Sequence, residues 1–425
     1  MQITQHISNI NFDTIPVDRF WNMGVEKESK MHKIHAYPAK FPAFITTKAL
    51  EYVAKKGAHV KKIADIFCGC GTTAYEASRN GIDYWGCDIN PVATLIAEVK
   101  SKSYATDKLN KYFSEIIDNF YKARISESDI EGISDRIKYW YSVEQISGLL
   151  RLKNTIKEVI PAKSKYQNFF LCAFSNILKL TSVWLTKSIK PQVDPNKNPI
   201  DVIQAFRLQF DFMKKASEES NGLTGSNVEI ENANILKRKI TKSFVDLIIT
   251  SPPYVTSYEY ADLHQLSTLW LEFTEDYKSF REGTIGSLYH DSNFKEDIKE
   301  LNNTGEKIVF QLYNQDKRKA KSAAKYYVDM QRCIKKSYNM LNDNGFAFFV
   351  IGNTEYKTVH IDNAKHLVES MITYGFTDIE VTKREISGKI LTPYRDEKGK
   401  FTTDKNSRKV YSEEFIVIGK KTRNG

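Results

Sequence analysis

Short apolar runs alternate with amphipathic segments in two stretches of the chain. In the first, from about Pro42 to Lys100, the apolar run Ile63–Phe67 ends at a glycine-containing turn. A helical pattern around Thr73–Arg79 follows, and then a second apolar run, Tyr84–Cys87. Strand, turn, helix and strand in this order are typical of a βαβ unit with parallel strands. This stretch therefore predicts part of a parallel sheet.

The second stretch predicts the rest of the sheet. Phe244–Ile249 is a continuous apolar run, which is typical of a buried strand. The later elements are expected to be a helix at Met330–Met340, a turn at Asn342–Gly345, a strand at Phe346–Ile351, a helix at Ala364–Tyr374 and closing strands at Phe376–Val381 and Glu414–Ile418. Together the two stretches predict an α/β fold with a doubly wound sheet.

Two segments do not follow this alternation. From about Thr106 to Ser220, apolar and aromatic residues recur at helical spacing, so we expect a helical insertion whose aromatic side chains mostly pack between helices. The turn-prone segment Lys190–Pro199 predicts a loop within it. A second insertion, from about Glu275 to Lys325, contains the charged cluster Asp316–Lys321. Such a cluster is usually a solvated face, but it also suits phosphate groups.

Length and charge narrow the class of protein. A chain of 425 residues is too long for one simple core, so we expect one large domain with insertions or two domains. Its formal net charge of +10 favours an anionic partner but does not separate nucleic acid from a membrane surface. The polar start, Met1–Asp13, does not resemble a signal peptide, and the apolar runs are too short to span a bilayer. We therefore expect a cytoplasmic protein with no membrane partner.

The cysteines are expected to be reduced thiols, because an odd number without a signal peptide is typical of a cytoplasmic protein. The five are Cys68, Cys70, Cys87, Cys172 and Cys333. The spacing of Cys68 and Cys70 does not match a zinc ribbon, and Cys87 stands alone before an aspartate. No metal site is expected.

The turn after the first strand, Asp65–Thr73, carries the first chemical signal. Glycines such as Gly69 and Gly71 allow the backbone to approach a ligand closely, and the acidic Asp65 suits a cationic amino group. The dinucleotide pattern would need a glycine three residues after Gly71, where the chain has Ala74, which disfavours a nicotinamide cofactor. On its own the segment fits a plain tight turn equally well.

The next strand ends at Asp88, within the segment Gly86–Pro91. A carboxylate at this point can accept hydrogen bonds from both hydroxyls of a ribose. The alternative role for Asp88 is to cap a helix that begins at Pro91, and the two roles are compatible. The two segments together indicate a nucleoside-containing ligand more strongly than either does alone.

The second strong signal is the end of the apolar run in the segment Asp246–Tyr254. An exocyclic amine of a nucleobase is a poor nucleophile, because its lone pair is delocalised into the ring. The Ser251 hydroxyl and the Pro252 carbonyl can accept the amine hydrogens and favour a pyramidal nitrogen. Consecutive prolines fix the backbone, and Tyr254 can stack on a base rotated out of the duplex. The alternative is a strand that ends in a Pro-Pro turn, with Tyr254 packed on the surface.

These segments resemble the motifs of DNA amino-methyltransferases. Asp65–Thr73 and Asp88–Pro91 resemble motifs I and II of class I methyltransferases, and Ser251–Tyr254 resembles motif IV. His35–Pro42 is similar to motif X, and Ile230–Asn234 is similar to motif III, with Asn232 where family members commonly have an aspartate. The resemblance covers about Ile34–Ile89 and Ile230–Lys420 and leaves both insertions unmatched.

The resemblance implies a class I methyltransferase fold, with a Rossmann-like doubly wound sheet and a helical insertion domain, and S-adenosylmethionine (SAM) as cofactor. The catalytic residues that it implies are Ser251, Pro252, Pro253 and Tyr254. The residues expected to bind SAM are Tyr37, Pro38, Lys40, Phe41, Pro42, Asp65, Phe67, Cys68, Gly69, Gly71, Thr72, Thr73, Asp88, Ile89, Asn90 and Asn232. His264, which follows motif IV, is expected on a helix surface or behind the site, without a catalytic role.

We divide the chain into five segments on this basis. They are the motif X and cofactor-binding half (residues 1–104), the helical insertion with a potential role in DNA recognition (105–225), the catalytic motif region (226–275), the basic insertion (276–325) and the C-terminal part of the methyltransferase domain (326–425). Either insertion, or the basic hairpin-like stretch Arg384–Lys409, is a candidate for reading the DNA sequence.

The expected substrate is cytosine N4 in double-stranded DNA, because the serine form of motif IV is commonest among cytosine-N4 enzymes. Adenine N6 is the main alternative; an RNA amine, or a DNA-binding module without activity, is less favoured. Methylation at cytosine carbon-5 is disfavoured, because it needs a cysteine nucleophile, usually after a proline, and no cysteine here follows one. A cognate restriction or defence-system component is a further conceivable partner; the sequence does not define the oligomeric state.

Overall fold

A central sheet of eight strands organises the protein. The computed structural model describes residues 2–3, 7, 10–25, 27–38, 40, 42–220, 223, 225–255, 260–287, 289, 293–386, 394–395, 401–409 and 412–422. The strands are β1 (Gln2–Ile3), β2 (Lys62–Asp65), β3 (Asp83–Asp88), β4 (Val228–Asn232), β5 (Val245–Thr250), β6 (Leu341–Ile351), β7 (Thr354–Tyr356), β8 (Val359–Ile361), β9 (Thr377–Glu385), β10 (Tyr394–Arg395), β11 (Phe401–Thr402), β12 (Arg408–Lys409) and β13 (Glu413–Lys420).

Helices cover both faces of the sheet and form the insertions. They are α1 (Phe44–Lys55), α2 (Thr72–Arg79), α3 (Pro91–Lys100), α4 (Thr106–Phe120), α5 (Glu127–Glu131), α6 (Asp135–Lys138), α7 (Val143–Val159), α8 (Lys165–Ile177), α9 (Val202–Glu219), α10 (Tyr260–Leu263), α11 (Gln265–Trp270), α12 (Phe294–Glu300), α13 (Asn303–Gln315), α14 (Lys317–Met340) and α15 (Asn363–Thr373). No helix in the described part of the chain is long and apolar enough to cross a membrane.

The order of the large sheet is β1-β9-β13-β6-β5-β2-β3-β4. The strands from β6 to β4 run parallel, whereas β13 lies antiparallel between β6 and β9. The strand order reverses between β2 and β5, so the loops that follow these two strands open a crevice at their carboxyl ends. The predicted α/β fold with a Rossmann-like doubly wound sheet is confirmed.

The prediction of a turn at Asn342–Gly345 before the strand is wrong, because these residues belong to β6, which begins at Leu341. Asn344 adopts a left-handed backbone conformation (φ 65°), and its N–H donates to the carbonyl of Lys421 (2.7 Å). The register with β5 shifts at the same point. A bulge therefore continues the strand where the turn-prone sequence predicted an interruption.

Helices α4 to α9 occupy the region predicted as a helical insertion, and their aromatic residues pack into one core together with residues of α2, α3 and α11. Trp140, Phe169 and Phe170 are fully buried, and Phe113 stacks on Phe210 with ring centroids 3.9 Å apart. Tyr139, by contrast, is 58% exposed. The prediction that most of these aromatic residues pack between helices is confirmed. Full burial of each such side chain stabilises the fold by about 1.5–3 kcal/mol.

The stretch Arg384–Lys409 is more than the predicted hairpin. In its described part, β10 pairs antiparallel with both β11 and β12, which gives a small three-stranded sheet. A strand has a hydrogen-bonding edge on either side, and β10 uses one edge for β11 and the other for β12. Residues 387–393 and 396–400, which include several of the basic side chains, lie outside the described residues.

Candidate active site

The glycine turn lies between β2 and α2, at the carboxyl edge of the sheet. Gly69 and Gly71 both have positive φ angles, of 47° and 75°. The N–H of Gly69 donates to Oδ2 of Asp88 (2.9 Å), which ties the turn to the end of the neighbouring strand. Gly71 leads directly into α2. A Cβ atom on Gly71 would lie only 2.6 Å from the Cα and Cβ atoms of Ala97 in α3. The sequence therefore needs glycine at 71 for the backbone angle and for the packing of α3.

Replacing Gly71 with alanine is expected to destabilise the protein by about 2 kcal/mol more than Gly57→Ala does, because the new methyl group overpacks against α3. Gly57 is the matched control, since its φ is also positive (76°) but a Cβ atom there would contact nothing within 4 Å. Both variants carry the backbone strain of a left-handed alanine. Denaturant unfolding measures the difference, and equal losses in the two variants would contradict the packing argument.

Asp88 joins the glycine turn to the loop after β3. Its side chain is half-buried and accepts hydrogen bonds from the N–H groups of Gly69 and Asn90 (2.9 Å each). Burial raises the pKa of the Asp88 carboxyl group above its usual value, while the bonds from these N–H groups lower it. The helix cap considered for Asp88 is instead made by Asn90, whose Oδ1 accepts the N–H of Val92 (3.0 Å). Asp88 is therefore left to face the crevice.

Asp65, which was expected to contact the cofactor directly, is buried behind the wall of the crevice. It is 1% exposed and accepts hydrogen bonds from the N–H of Phe67 (3.1 Å) and the hydroxyls of Thr73 (3.2 Å) and Thr250 (2.6 Å). Burial raises the pKa of Asp65 to about 7. The carboxyl group thus holds the glycine turn, the start of α2 and the end of β5 together. Its contact with a cationic amino group stays a prediction.

The segment Ser251–Tyr254 begins directly after β5. The hydroxyl of Ser251 donates to the carbonyl of Val350 at the end of β6 (3.0 Å), and the hydroxyl of Tyr326 donates to the carbonyl of Pro253 (2.8 Å). Tyr254 is half-buried and lies beside Gly352, where a Cβ atom would come within 3.4 Å of its ring. No hydrogen bond from the described residues reaches the Pro252 carbonyl. The segment is therefore anchored by β6 and α14 on one side.

One pocket brings the two halves of the site together. It spans about 950 Å³ at the crevice, including space that is open to solvent. The predicted site residues that line it are Tyr37, Phe67, Gly69, Asp88, Ile89, Asn90, Ser251 and Pro253. The carboxylate, the glycine turn and the serine, which are far apart in sequence, thus face one space.

The other predicted residues do not line this pocket. They are Pro38, Lys40, Pro42, Asp65, Cys68, Gly71, Thr72, Thr73, Asn232, Pro252 and Tyr254, and Phe41 lies outside the described residues. The ammonium group of Lys40 donates to the carbonyl of His32 (2.6 Å), and burial lowers its pKa. The side-chain amide of Asn232 donates to the carbonyls of Asp88 and Ile89 (3.0 Å each). Asn232 therefore fixes the loop after β3, and any direct contact with a cofactor stays a prediction.

A second group of lining residues was not predicted from the sequence. Phe280, Gly283, Thr284 and Ile285 come from the start of the second insertion. The side chain of Asn234 donates to the carbonyl of Gly283 (3.0 Å), which holds this loop over the crevice. The insertion was predicted because it interrupts the alternation of strands and helices, and that pattern does not show that its first residues reach back to the loops after β3 and β4.

His264, which was expected on a helix surface or behind the site, is among the residues that line the pocket. His264 lies between two short helices, with α10 ending before it and α11 beginning after it. His264 is 4% exposed and stacks on Tyr37, with ring centroids 4.9 Å apart and an angle of 18° between the planes. In the described part of the chain, no group of three or more His, Cys, Asp or Glu residues is placed to hold a metal ion, and all five cysteines are buried.

Comparison with known proteins agrees with this geometry. Residues 5–99 match the N6/N4 family model described as DNA methylase. The chain is 24% identical over 386 residues to the Type II methyltransferase M.MvaI of Kocuria varians, covering 84% of each chain. It is 23% identical over 375 residues to M.AvaI of Nostoc sp., covering 79% of this chain and 77% of the relative. A shorter match of 93 residues to M.MjaII of Methanocaldococcus jannaschii is 37% identical and covers 22% of this chain and 17% of the relative.

The sheet order and the crevice are those of a Rossmann-like class I methyltransferase fold, and the match to DNA methylases supports SAM as the cofactor. Among solved structures, a SAM-dependent methyltransferase from Methanosarcina mazei aligns over 87% of this chain and 97% of that chain, at 11% identity and a TM-score of 0.30, which is too low to support an argument. The matches in sequence are more specific. They support the DNA amino-methyltransferase family, the N4/N6 type of DNA methylase, through residues 5–99 and through the relative M.MvaI.

Proposed function

We propose that this protein transfers the methyl group of SAM to the exocyclic N4 amine of cytosine in duplex DNA. The observation that carries the proposal is the hydrogen bond from Ser251 to the carbonyl of Val350. A serine hydroxyl has one hydrogen, so this bond leaves only lone pairs of the oxygen to face the pocket. An exocyclic amine has two hydrogens to donate, and it is the kind of group that such an acceptor suits.

The chemistry follows from holding those hydrogens. Acceptors at the Ser251 hydroxyl and the Pro252 carbonyl would draw the amine out of conjugation and aim its lone pair at the methyl group. SAM, when bound, supplies an electrophilic methyl group on a positively charged sulfur. The N–C bond forms as the S–C bond breaks, the S–C electron pair stays on sulfur, and a proton leaves the nitrogen for solvent. The protein contributes mainly position, which explains a site without a charged general base.

The residues at the carboxyl edge fit the nucleoside part of SAM. We assign the ribose hydroxyls to Asp88, which keeps acceptor capacity beside its bonds to the two backbone N–H groups. Gly69 and Phe67 would lie along the ligand, and Ile89 and Ile285 would provide apolar contact. Asn232 keeps the loop that carries Asp88 in place.

The serine at the first position of motif IV favours cytosine over adenine. This preference rests on the motif alone and not on a contact between the pocket and a base. Both bases present an amine, so adenine N6 is the alternative. The relatives are named Type II methyltransferases, and we propose on this ground that the chain modifies a specific duplex sequence and has a cognate restriction nuclease as partner. Three segments are candidates for reading that sequence: residues 106–220, residues 275–325 and Arg384–Lys409.

Ser251→Ala is expected to lower the methyl-transfer rate about tenfold, because the amine loses one hydrogen-bond acceptor. Ser251→Thr keeps the hydroxyl and is the matched control, with most of the rate retained. Single-turnover transfer of labelled methyl groups to DNA at saturating SAM measures the step. A rate for Ser251→Ala equal to that of the unmodified protein would show that the hydroxyl is not the acceptor.

A further inference from the structure

His264 is a buried polar side chain for which the fold supplies no partner. Its Nε2 atom is buried and forms no hydrogen bond with any described residue. A buried polar atom that stays unpaired costs stability, so such an atom in a pocket wall indicates a bond that is completed by a ligand. The rest of the residue is held firmly, because the His264 carbonyl accepts the N–H of Thr268 (2.9 Å) and the ring stacks on Tyr37.

The imidazole is neutral around neutral pH. Burial lowers the pKa of His264 to about 4. A neutral imidazole has one nitrogen that donates and one that accepts, so Nε2 can serve either type of partner according to the tautomer. A ligand with an ammonium group and a carboxylate side by side therefore suits it in both forms.

The position of His264 points to one end of the cofactor. Tyr37, on which its ring stacks, lies against the glycine turn, since a Cβ atom on Gly69 would be 3.7 Å from Cε1 of Tyr37. Asp88, assigned to the ribose, bonds the N–H of the same glycine. His264 is thus linked to the glycine turn through Tyr37.

The wall of the pocket provides few other partners for the ammonium group and the carboxylate of an amino acid. Asp88 is the one residue with a charged side chain among the described residues that line it. Asp65, which the sequence suggested for the cationic amino group, is behind the wall, and the hydroxyl of Thr268 bonds the carbonyls of His264 and Gln265. Nε2 of His264 is a buried polar atom of this wall that has no hydrogen-bond partner among the described residues.

We propose that His264 binds the amino-acid end of SAM, with Nε2 accepting a hydrogen bond from the α-ammonium group or donating one to the α-carboxylate. This proposal rests on SAM as the cofactor and is independent of the choice between cytosine and adenine. The target base, by contrast, is assigned to the side formed by Ser251, Tyr254 and Gly352.

The test compares two ligands that differ only in this end. S-adenosylhomocysteine carries the amino-acid group, and 5′-methylthioadenosine has a methyl group in its place. His264→Phe keeps an aromatic ring against Tyr37 and removes the nitrogen, whereas His264→Gln keeps hydrogen-bonding atoms. His59→Phe is the matched control, because His59 is exposed beyond α1, before β2 begins.

Calorimetry should show that His264→Phe weakens S-adenosylhomocysteine about tenfold, the usual effect of losing one hydrogen bond to a charged group, and changes 5′-methylthioadenosine less than about twofold. His264→Gln should recover part of the affinity, and His59→Phe should change neither constant. Equal losses for the two ligands in His264→Phe would overturn the proposal in favour of a structural role. Unchanged binding of both, with a raised KM for DNA, would overturn it in favour of a contact with the base.

Discussion

Tyr254→Ala is expected to lower the turnover number about 100-fold, while the dissociation constant for SAM changes by less than about twofold. Stacking of a flipped base on an aromatic ring contributes about 1–3 kcal/mol, and the alanine variant loses all of it. Tyr254 does not line the pocket that holds Asp88 and Gly69, so cofactor binding has no reason to change. Its ring lies instead beside Gly352, next to the end of β6, where the absence of a side chain leaves room for it.

Single-turnover transfer to DNA and calorimetry with SAM measure the two quantities separately. Tyr254→Phe is the control, because it keeps the ring and removes only the hydroxyl, and it should retain most of the turnover. Loss of SAM binding in Tyr254→Ala would contradict the assigned role. A phenylalanine variant as slow as the alanine variant would show that the hydroxyl, rather than stacking, is what the reaction needs.

Asp88→Ala is expected to weaken SAM about 100-fold, because hydrogen bonds to a charged acceptor contribute about 1.5–3 kcal/mol. The variant loses the acceptor for the ribose and also releases the N–H groups of Gly69 and Asn90, which the carboxylate positions. Calorimetry gives the dissociation constant, and thermal unfolding shows whether the fold is intact.

Asp83→Ala provides a matched control for Asp88→Ala. Asp83 begins the same strand at the opposite edge of the sheet, and its carboxylate also accepts a backbone N–H, that of Asn227 (2.8 Å). Both variants lose a carboxylate that accepts backbone N–H groups, but of the two residues only Asp88 lines the pocket. An unchanged SAM affinity in Asp88→Ala, or an equal loss in both variants, would argue against the ribose assignment.

The parallel strands could be predicted because strands covered by helices on both faces appear as continuous apolar runs. This holds for β2, β3 and β5, whose bounds differ from the predicted runs by one or two residues. The start of β6 could not be predicted, because its turn-like residues are held in the sheet by Lys421 near the end of the chain. Local propensity cannot show such a long-range pairing.

The same distinction applies to the site. Asp88 and Ser251 could be predicted because each follows a strand at the edge where the carboxyl ends of parallel strands meet. The positions of Asp65 and His264 could not be predicted. Asp65 is drawn inside by two threonine hydroxyls, one of them from β5, and His264 is buried by Tyr37, from a distant part of the chain. The pocket residues of the second insertion depend in the same way on a contact between separate loops, Asn234 with Gly283.

The central claim is that the Ser251 segment delivers a methyl group from SAM to cytosine N4 in DNA. Its most direct test is to incubate the protein with unmethylated genomic DNA and methyl-labelled SAM, digest the DNA, and identify the labelled nucleoside by mass spectrometry. Genomic DNA presents every short sequence, so the recognition site need not be known. Label in N4-methyldeoxycytidine, reduced about tenfold with Ser251→Ala at short times, is the predicted result. Label in N6-methyldeoxyadenosine would contradict the cytosine assignment, and DNA without label would contradict methyl transfer itself.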